Sequence, residues 1–421
     1  MKKTNALERQ RSVYVAGAAG VRQMIPFDPD LLEQKAKVKM NPAAWAYVAG
    51  GAGLERTMAA NRSDFDRHRI VPRMLRNVEE RDLSTHYLGQ NMASPFFIAP
   101  IGVLEMAHPQ ADLAVAVAAA EWGVPYIFSN QASVPMEQCA AVMGAAPRMF
   151  QLYWSRSNDL VLSFLQRAEA SGCSALVVTL DTTMLGWRIR DLDLSSLPFL
   201  KGMGIAQYTS DPVFQRLLDV PDETPAPRAK VTLDAIGTLF SAARRYPGDF
   251  WGNLRSGRAI RAVRTFTRLY SRPNITWADL PFLREHTRLP IILKGIMHPD
   301  DARKAMDYGV DGIYVSNHGG RQVDGSASSI AALPSIAEVV REKVPILFDS
   351  GVRGGADAFK ALALGATAIG IGRPYCYALA IGGQAGVSEL LENWLSDFEL
   401  TMGLAGCKNI EEVRKTQLAH G

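Results

Sequence analysis

Short apolar runs recur along most of this chain, each followed by a longer segment with helical spacing. From about residue 96 the runs fall at 96–99, 125–129, 148–152, 175–179, 291–294, 312–316, 346–349 and 368–371. Runs of this length with no polar alternation read as strands buried on both faces. Between most of them lie Ala-rich stretches at 111–122, 160–170, 299–308 and 356–364. Strand and helix alternating eight times in series predict an α/β fold, a closed (β/α)8 TIM barrel. A doubly wound sheet is the alternative.

The rhythm breaks once. Over a hundred residues separate the fourth strand from the fifth, against about forty or fewer elsewhere. An insertion at about 197–276 therefore occupies the fourth βα connection, on the face where barrel enzymes do chemistry. A structureless loop of that length is disfavoured, so helix and a lid-like role are expected. Residues 1–41 are read as an N-terminal extension and 42–421 as the barrel domain. Within the insertion, Arg244, Arg245, Arg255, Arg258, Arg261, Arg264, Arg268 and Arg272 meet a single acid, Asp249, with Phe250, Trp251, Phe266 and Tyr270 interleaved. The favoured reading is a solvated face or a subunit contact; contact with an anionic membrane is the alternative.

A net charge of +4 with no zinc-finger or RNA-binding signature argues against nucleic acid as a partner. No apolar run is long enough for a membrane span, and residues 1–10 lack the core of a signal peptide. Cys139, Cys173, Cys376 and Cys407 are widely spaced without a CxxC pair, which fits reduced thiols and a cytoplasmic protein.

Polar residues collect where the strands end. The third run ends in Gln151-Leu152-Tyr153, the fourth in Thr179-Leu180-Asp181, the fifth in Lys294-Gly295 and the seventh in Asp349-Ser350-Gly351. The sixth leads into Ser316-Asn317-His318-Gly319-Gly320-Arg321-Gln322. There a group that takes a proton near neutrality lies close to a cation able to grip a carboxylate with two parallel hydrogen bonds. A capping turn with a buried histidine is the bland reading of that run. Two glycine-rich pieces follow, Gly351-Val352-Arg353-Gly354-Gly355 and Gly370-Ile371-Gly372-Arg373-Pro374. Neither is a dinucleotide fingerprint, but both lie where barrels bind phosphate, after strands seven and eight. Each alone could be a tight turn without ligand.

These pieces give the chain its resemblance. It resembles the FMN-dependent α-hydroxy acid oxidising enzymes, the family of glycolate oxidase, lactate oxidase and flavocytochrome b2, from about Pro42 to the C-terminal region. The segments Tyr47-Val48-Ala49-Gly50-Gly51, Ala99-Pro100-Ile101-Gly102-Val103 and Leu185-Gly186-Trp187-Arg188 are most similar to the lactate 2-monooxygenase class. The resemblance implies His318 as proton acceptor and Asp181 as partner of its imidazolium. Arg188 and Arg321 would bind the substrate carboxylate with help from Tyr47, while Tyr153 would meet the substrate hydroxyl. For FMN it implies Lys294 beside the N1–C2 carbonyl, with Ser129, Gln151, Thr179 and Ser316 near the ring. Backbone at Ile101 and Gly102 would approach the N5 side. Asp349 would hold the ribityl chain, and Gly351, Arg353, Gly372 and Arg373 the phosphate. Substrate and co-substrate would be a small L-2-hydroxy acid and O2, with a tetramer or octamer as the assembly.

Two positions depart from the wider family. Gln131 stands where glycolate oxidase has a tryptophan, and Gly102 where most members have alanine. The absent methyl is expected to leave space beside the flavin. In the monooxygenase class the keto acid stays bound and is decarboxylated, so lactate would yield acetate, CO2 and water. The alternatives are an oxidase that releases keto acid and H2O2, or a membrane-associated dehydrogenase linked to quinone.

Overall fold

Eight short parallel strands close on themselves in a computed structural model that describes residues 2, 5–220 and 232–421. Residues 1, 3 and 4 of the expected extension and 221–231 of the expected insertion lie outside the described residues. The strands are β1 (Phe96–Ile98), β2 (Tyr126–Phe128), β3 (Arg148–Tyr153), β4 (Leu176–Thr179), β5 (Ile291–Lys294), β6 (Gly312–Val315), β7 (Ile346–Phe348) and β8 (Ala368–Ile371). β8 pairs with β1, Ile371 opposite Ile98, which closes the ring and leaves no edge strand. The predicted (β/α)8 barrel is the observed fold.

Side chains alternate across each strand because successive Cβ atoms point to opposite faces. Phe97, Ile127, Met149, Val177, Ile292, Tyr314, Leu347 and Ala368 fill the barrel interior. Their neighbours, among them Phe96, Phe150, Leu293 and Phe348, face the surrounding helices. A hairpin ahead of β1, strands Thr85–Tyr87 and Gln90–Met92, turns through Leu88 and Gly89 at φ 51° and 71°. Two successive positive φ values match the twist of a tight hairpin. Its Tyr87 and Met92 join the interior cluster at the N-terminal end of the barrel.

The barrel helices are α1 (Ala111–Trp122), α2 (Met136–Met143), α3 (Asn158–Ala170), α4 (Leu280–His286), α5 (Pro299–Asp307), α6 (Ser329–Val340), α7 (Gly355–Ala363) and α8 (Arg373–Leu404). Helix α8 is interrupted by non-helical Gly382 and Gly383. The helices Ala6–Ala18 and Pro29–Lys39 pack along it. Ala6 N–H reaches Glu399 at 3.0 Å, and Arg9 donates to Asn393 at 2.7 Å. Two further helices ahead of β1, Pro42–Ala49 and Arg56–Ser63, deliver Tyr47 and Asn61 toward the C-terminal rim.

Between β4 and α4 the insertion holds helices Ala206–Thr209, Pro212–Leu217, Leu233–Arg245, Phe250–Ser256 and Arg258–Leu269. The last buries Ala259, Ala262, Val263, Thr265 and Phe266 and leaves Arg261 and Arg264 outside. Part of the basic charge is neutralised locally: Arg245 pairs with Glu105, Arg258 with Asp219 and Arg272 with Asp279. Among the described residues no helix is long and apolar enough to cross a membrane.

Candidate active site

Strand register sets the level of the candidate groups. Tyr153 lies opposite Thr179, Thr179 opposite Lys294, and Lys294 opposite Tyr314, so the ends of β3 to β6 finish at one height. Above them opens a cleft of about 1000 Å³, counting the space at its mouth. Tyr47, Ile101, Gly102, Gln131, Tyr153, Arg188, Lys294, His318, Arg321, Asp349, Gly351, Arg353, Gly372 and Arg373 all line it. Positions from all eight strand ends and from the helix ahead of β1 therefore converge on one place.

The run after β6 needs its glycines. His318, Gly319 and Gly320 all have left-handed backbone, at φ 59°, 65° and 74°. A Cβ at Gly320 would meet the Met58 backbone nitrogen at 2.7 Å. A left-handed histidine is uncommon and is held by its contacts. Its Nδ1 lies 2.9 Å from Asp181 Oδ1 and 3.2 Å from Thr182 Oγ1. With Nδ1–H donated to Asp181, Nε2 keeps the lone pair. Burial pulls the imidazole below its usual 6.5 in spite of Asp181, so His318 rests neutral at physiological pH.

Asp181 is the reverse case. Burial opposes its charge, yet Lys294, 3.5 Å from Oδ2, and His318 hold the carboxyl well below the usual range. Lys294 also donates to Ser316 Oγ at 3.0 Å. Asp181 stands behind His318 and Lys294 and does not line the cleft. Ser129, Gln151 and Thr179 are also set back, in a buried chain running Ser129 Oγ to Gln151 Oε1 at 3.1 Å and Gln151 Nε2 to Thr179 Oγ1 at 3.0 Å.

Four arginines line the same cleft. Among the described residues none of Arg188, Arg321, Arg353 and Arg373 takes part in an ion pair with a carboxylate. Arg321 and Arg373 donate instead to backbone carbonyls of the 47–50 turn. The guanidinium groups of Arg188 and Arg321 lie 5.9 and 4.9 Å from the centre of the Tyr47 ring. Burial with like-charged neighbours pushes Arg321 down to about 9, and burial pushes Arg353 down to about 10. Buried cations with no carboxylate in ion-pair contact are costly, so the cleft favours anions.

They stand at two places. Arg353 and Arg373 flank the starts of α7 and α8, helix N-termini that favour an anion; at α7 the Gly355 N–H already donates to Asp397. A Cβ at Gly372 would meet no atom within 4 Å, so the cradle is open there. Arg188 and Arg321 lie with Tyr47, Tyr153 and His318. The donor set thus fits a phosphorylated ring cofactor at one end and a small carboxylate at the other.

The chain also matches known proteins. The family described as FMN-dependent dehydrogenase matches residues 36–420. This chain belongs to that family. An FMN-dependent alpha-hydroxy acid dehydrogenase of Penicillium citrinum is 41% identical over 391 residues, covering 93% of this chain and 90% of its own. An L-lactate oxidase of Lysinibacillus sphaericus is 38% identical, covering 92% and 91%. A crystal structure of mandelate oxidase superposes with a TM-score of 0.75 at 34% identity, over 94% of this chain and 99% of that one. FMN is the family's cofactor, and α-hydroxy acid oxidation its general reaction.

Sequence reasoning passed over several residues of the FMN-dependent site. Thr182 bonds both Asp181 and His318. Gln322 Nε2 holds the carbonyls of Asp181 and Met184, and its Oε1 accepts from Arg188 at 3.2 Å. Asn61 and Asn317 exchange two amide hydrogen bonds of 2.8 Å. Gln322 belongs to the glycine-run motif and could have been found there; Asn61 carried no local signal. Phe199 and Tyr270, both from the insertion, also line the cleft.

The expected space at Gly102 is corrected. A Cβ there would lie 2.9 Å from Gln131 Cβ and 3.2 Å from Gln131 O, so the missing methyl leaves no void. Gln131 occupies that side, and glycine is what lets the two loops touch.

Proposed function

We propose that this chain oxidises L-lactate, or an L-2-hydroxy acid of similar size, and holds the keto acid until it is decarboxylated. Lactate and O2 would then yield acetate, CO2 and water. FMN, when bound, accepts the two electrons of the first oxidation. Every other part of the reading rests on side chains of this chain.

Arg188 and Arg321 grip the carboxylate, and Tyr47 lies against both guanidinium groups. The neutral His318 accepts the proton released as the α-carbon is oxidised. The imidazolium that forms is met by Asp181 at 2.9 Å, so charge appears next to a carboxylate already ionised. Tyr153 orients the substrate hydroxyl. Lys294 supplies fixed positive charge near the cofactor ring, Ile101 and Gly102 bring backbone to it, and Ser129, Gln151, Thr179 and Ser316 brace the layer beneath. Asp349, which accepts from Tyr314 at 2.7 Å, serves the ribityl chain, and Gly351, Arg353, Gly372 and Arg373 the phosphate.

One observation carries the retention of keto acid. Phe199 packs edge-on to Tyr47 with ring centres 6.4 Å apart, and Tyr270 stacks on Phe199 at 6.4 Å. Two rings from the insertion thereby cover the tyrosine that touches both carboxylate-binding arginines. Such a cover slows exit of a small anion and keeps water out.

The 38% identity to an L-lactate oxidase favours a second reading, in which keto acid and H2O2 are released. Product analysis in air separates the two. Acetate and CO2 without peroxide is the expected result; pyruvate and H2O2 in equal amounts would overturn retention and leave hydroxy acid oxidation standing.

A further inference from the structure

The loop after β2, residues 129–134, carries Ser129 and Gln131, and the loop after β1 carries Ile101 and Gly102. They meet where Gln131 O accepts from Val103 N–H at 3.0 Å and where Gln131 Cβ faces Gly102. Ser133 Oγ adds a bond from Glu105 N–H at 3.2 Å. No hydrogen bond holds the Gln131 side-chain amide among the described residues, although it lines the cleft. Its direction is set by the loop alone.

Behind this junction lies Asp112, 1% exposed, in the first turn of α1. Its Oδ2 accepts from Ser133 N–H at 2.8 Å, and its Oδ1 from the Tyr126 hydroxyl at 3.2 Å. The residue before it, Ala111, is also 1% exposed and has φ 43°. A left-handed alanine costs free energy and persists only where its surroundings require it. The carboxylate of the next residue faces inward, against the Gln131 loop.

We propose that Asp112 is a positioning residue for the oxidation, a buried carboxylate that clamps the Gln131 loop to the start of α1, the helix into which the Gly102 loop leads. The clamp depends on charge. The titratable groups facing Asp112 are Tyr126 on β2, Cys139 on α2, and Tyr375 and Cys376 on α8. All four are pushed up and stay neutral, and among the described residues no cation acts on the Asp112 carboxyl. Burial raises the Asp112 carboxyl to about 7, even though Ser133 N–H and the Tyr126 hydroxyl favour its charged form. A carboxylate accepts from both donors at once, whereas in the acid one oxygen becomes a donor and acceptor capacity is lost.

The proposal rests on the reading that the hydroxy acid lies beside Gln131. Asp112→Asn reproduces the protonated state, with one accepting oxygen and one donating nitrogen. Apparent affinity for L-lactate would be read from anaerobic flavin bleaching between about pH 5 and pH 9. Wild-type affinity should strengthen several-fold as pH rises past the Asp112 titration. The Asn variant should keep the acid-side value throughout, while the limiting bleaching rate follows His318 in both proteins. Affinities that run parallel at every pH would overturn the clamp.

Tyr126→Phe removes one donor to the charge and should move the inflection to higher pH; an unmoved inflection counts against the clamp equally. A test without substrate uses Tm. A raised carboxyl pKa means the folded chain binds the proton more tightly, so stability falls as pH climbs from the unfolded value toward 7. Wild-type Tm should therefore drop relative to Asp112→Asn over that range, and a constant difference would overturn the buried charge. Lactate that fails to bleach either protein would instead strike at the substrate reading.

Discussion

The wall that carries His318 is wired by charge at the cleft itself, whereas the wall that carries Gly102 and Gln131 meets the cleft by fit, with the Asp112 carboxylate set behind it. On the first, Lys294, Asp181, Thr182, His318 and Gln322 form a continuous network of ion pairs and hydrogen bonds. On the second, a glycine lies against a glutamine Cβ, and the insertion adds Phe199 and Tyr270. A network of the first kind fails when a single member is removed, because a buried charge is then left alone. Steric fit yields by degrees. On the proposed reading, the reacting groups sit where tolerance is least, and the groups that choose substrate and product sit where it is greatest.

The largest expected effect comes from the wired wall. His318→Ala should slow anaerobic flavin reduction by about 10²–10⁴-fold while the protein stays yellow. Reduction at the wild-type rate would remove the proton acceptor from that wall. Next comes Arg321→Lys, which keeps the charge but cannot form the paired fork. Loss of that charged hydrogen bond should weaken hydroxy acid binding by about 1.5–3 kcal/mol, read from a titration of the reduced fraction.

The pH profile sharpens the same contrast. His318 must be unprotonated to act, and burial lowers its pKa below 6.5. The reduction rate should thus be flat above that value and fall only on the acid side. A midpoint above 6.5 would mean that Asp181 outweighs burial.

The fitted wall gives the smallest and most graded change. Gly102→Ala pushes a methyl into Gln131 and should shift products from acetate toward keto acid and H2O2, with flavin reduction little altered. Unchanged product ratios would show that the fit has no part in retaining the keto acid.

Much of the barrel was legible in the sequence because both faces of each strand are buried. Continuous apolar runs such as Ile291–Lys294 and Ala368–Ile371 left little choice of element. The polar strand ends likewise marked Asp181, Lys294 and His318, since charge at the end of a buried run has few bland explanations. What stayed hidden depends on contacts distant in the chain. Asn61 meets Asn317 across 256 residues, and the direction of a Gly102 Cβ depends on a loop nearly thirty positions away. The hairpin from Thr85 to Met92 was too short to announce itself, although Leu88-Gly89 holds its turn.

The amide pair between Asn61 and Asn317 has a consequence for how the enzyme comes into being. Tyr47 and Asn61 leave the ribosome long before His318 and Arg373, yet the finished cleft needs all four. Nascent chains therefore have an early half-wall waiting on late material, and the vitamin-derived ligand has no complete berth until translation has nearly ended.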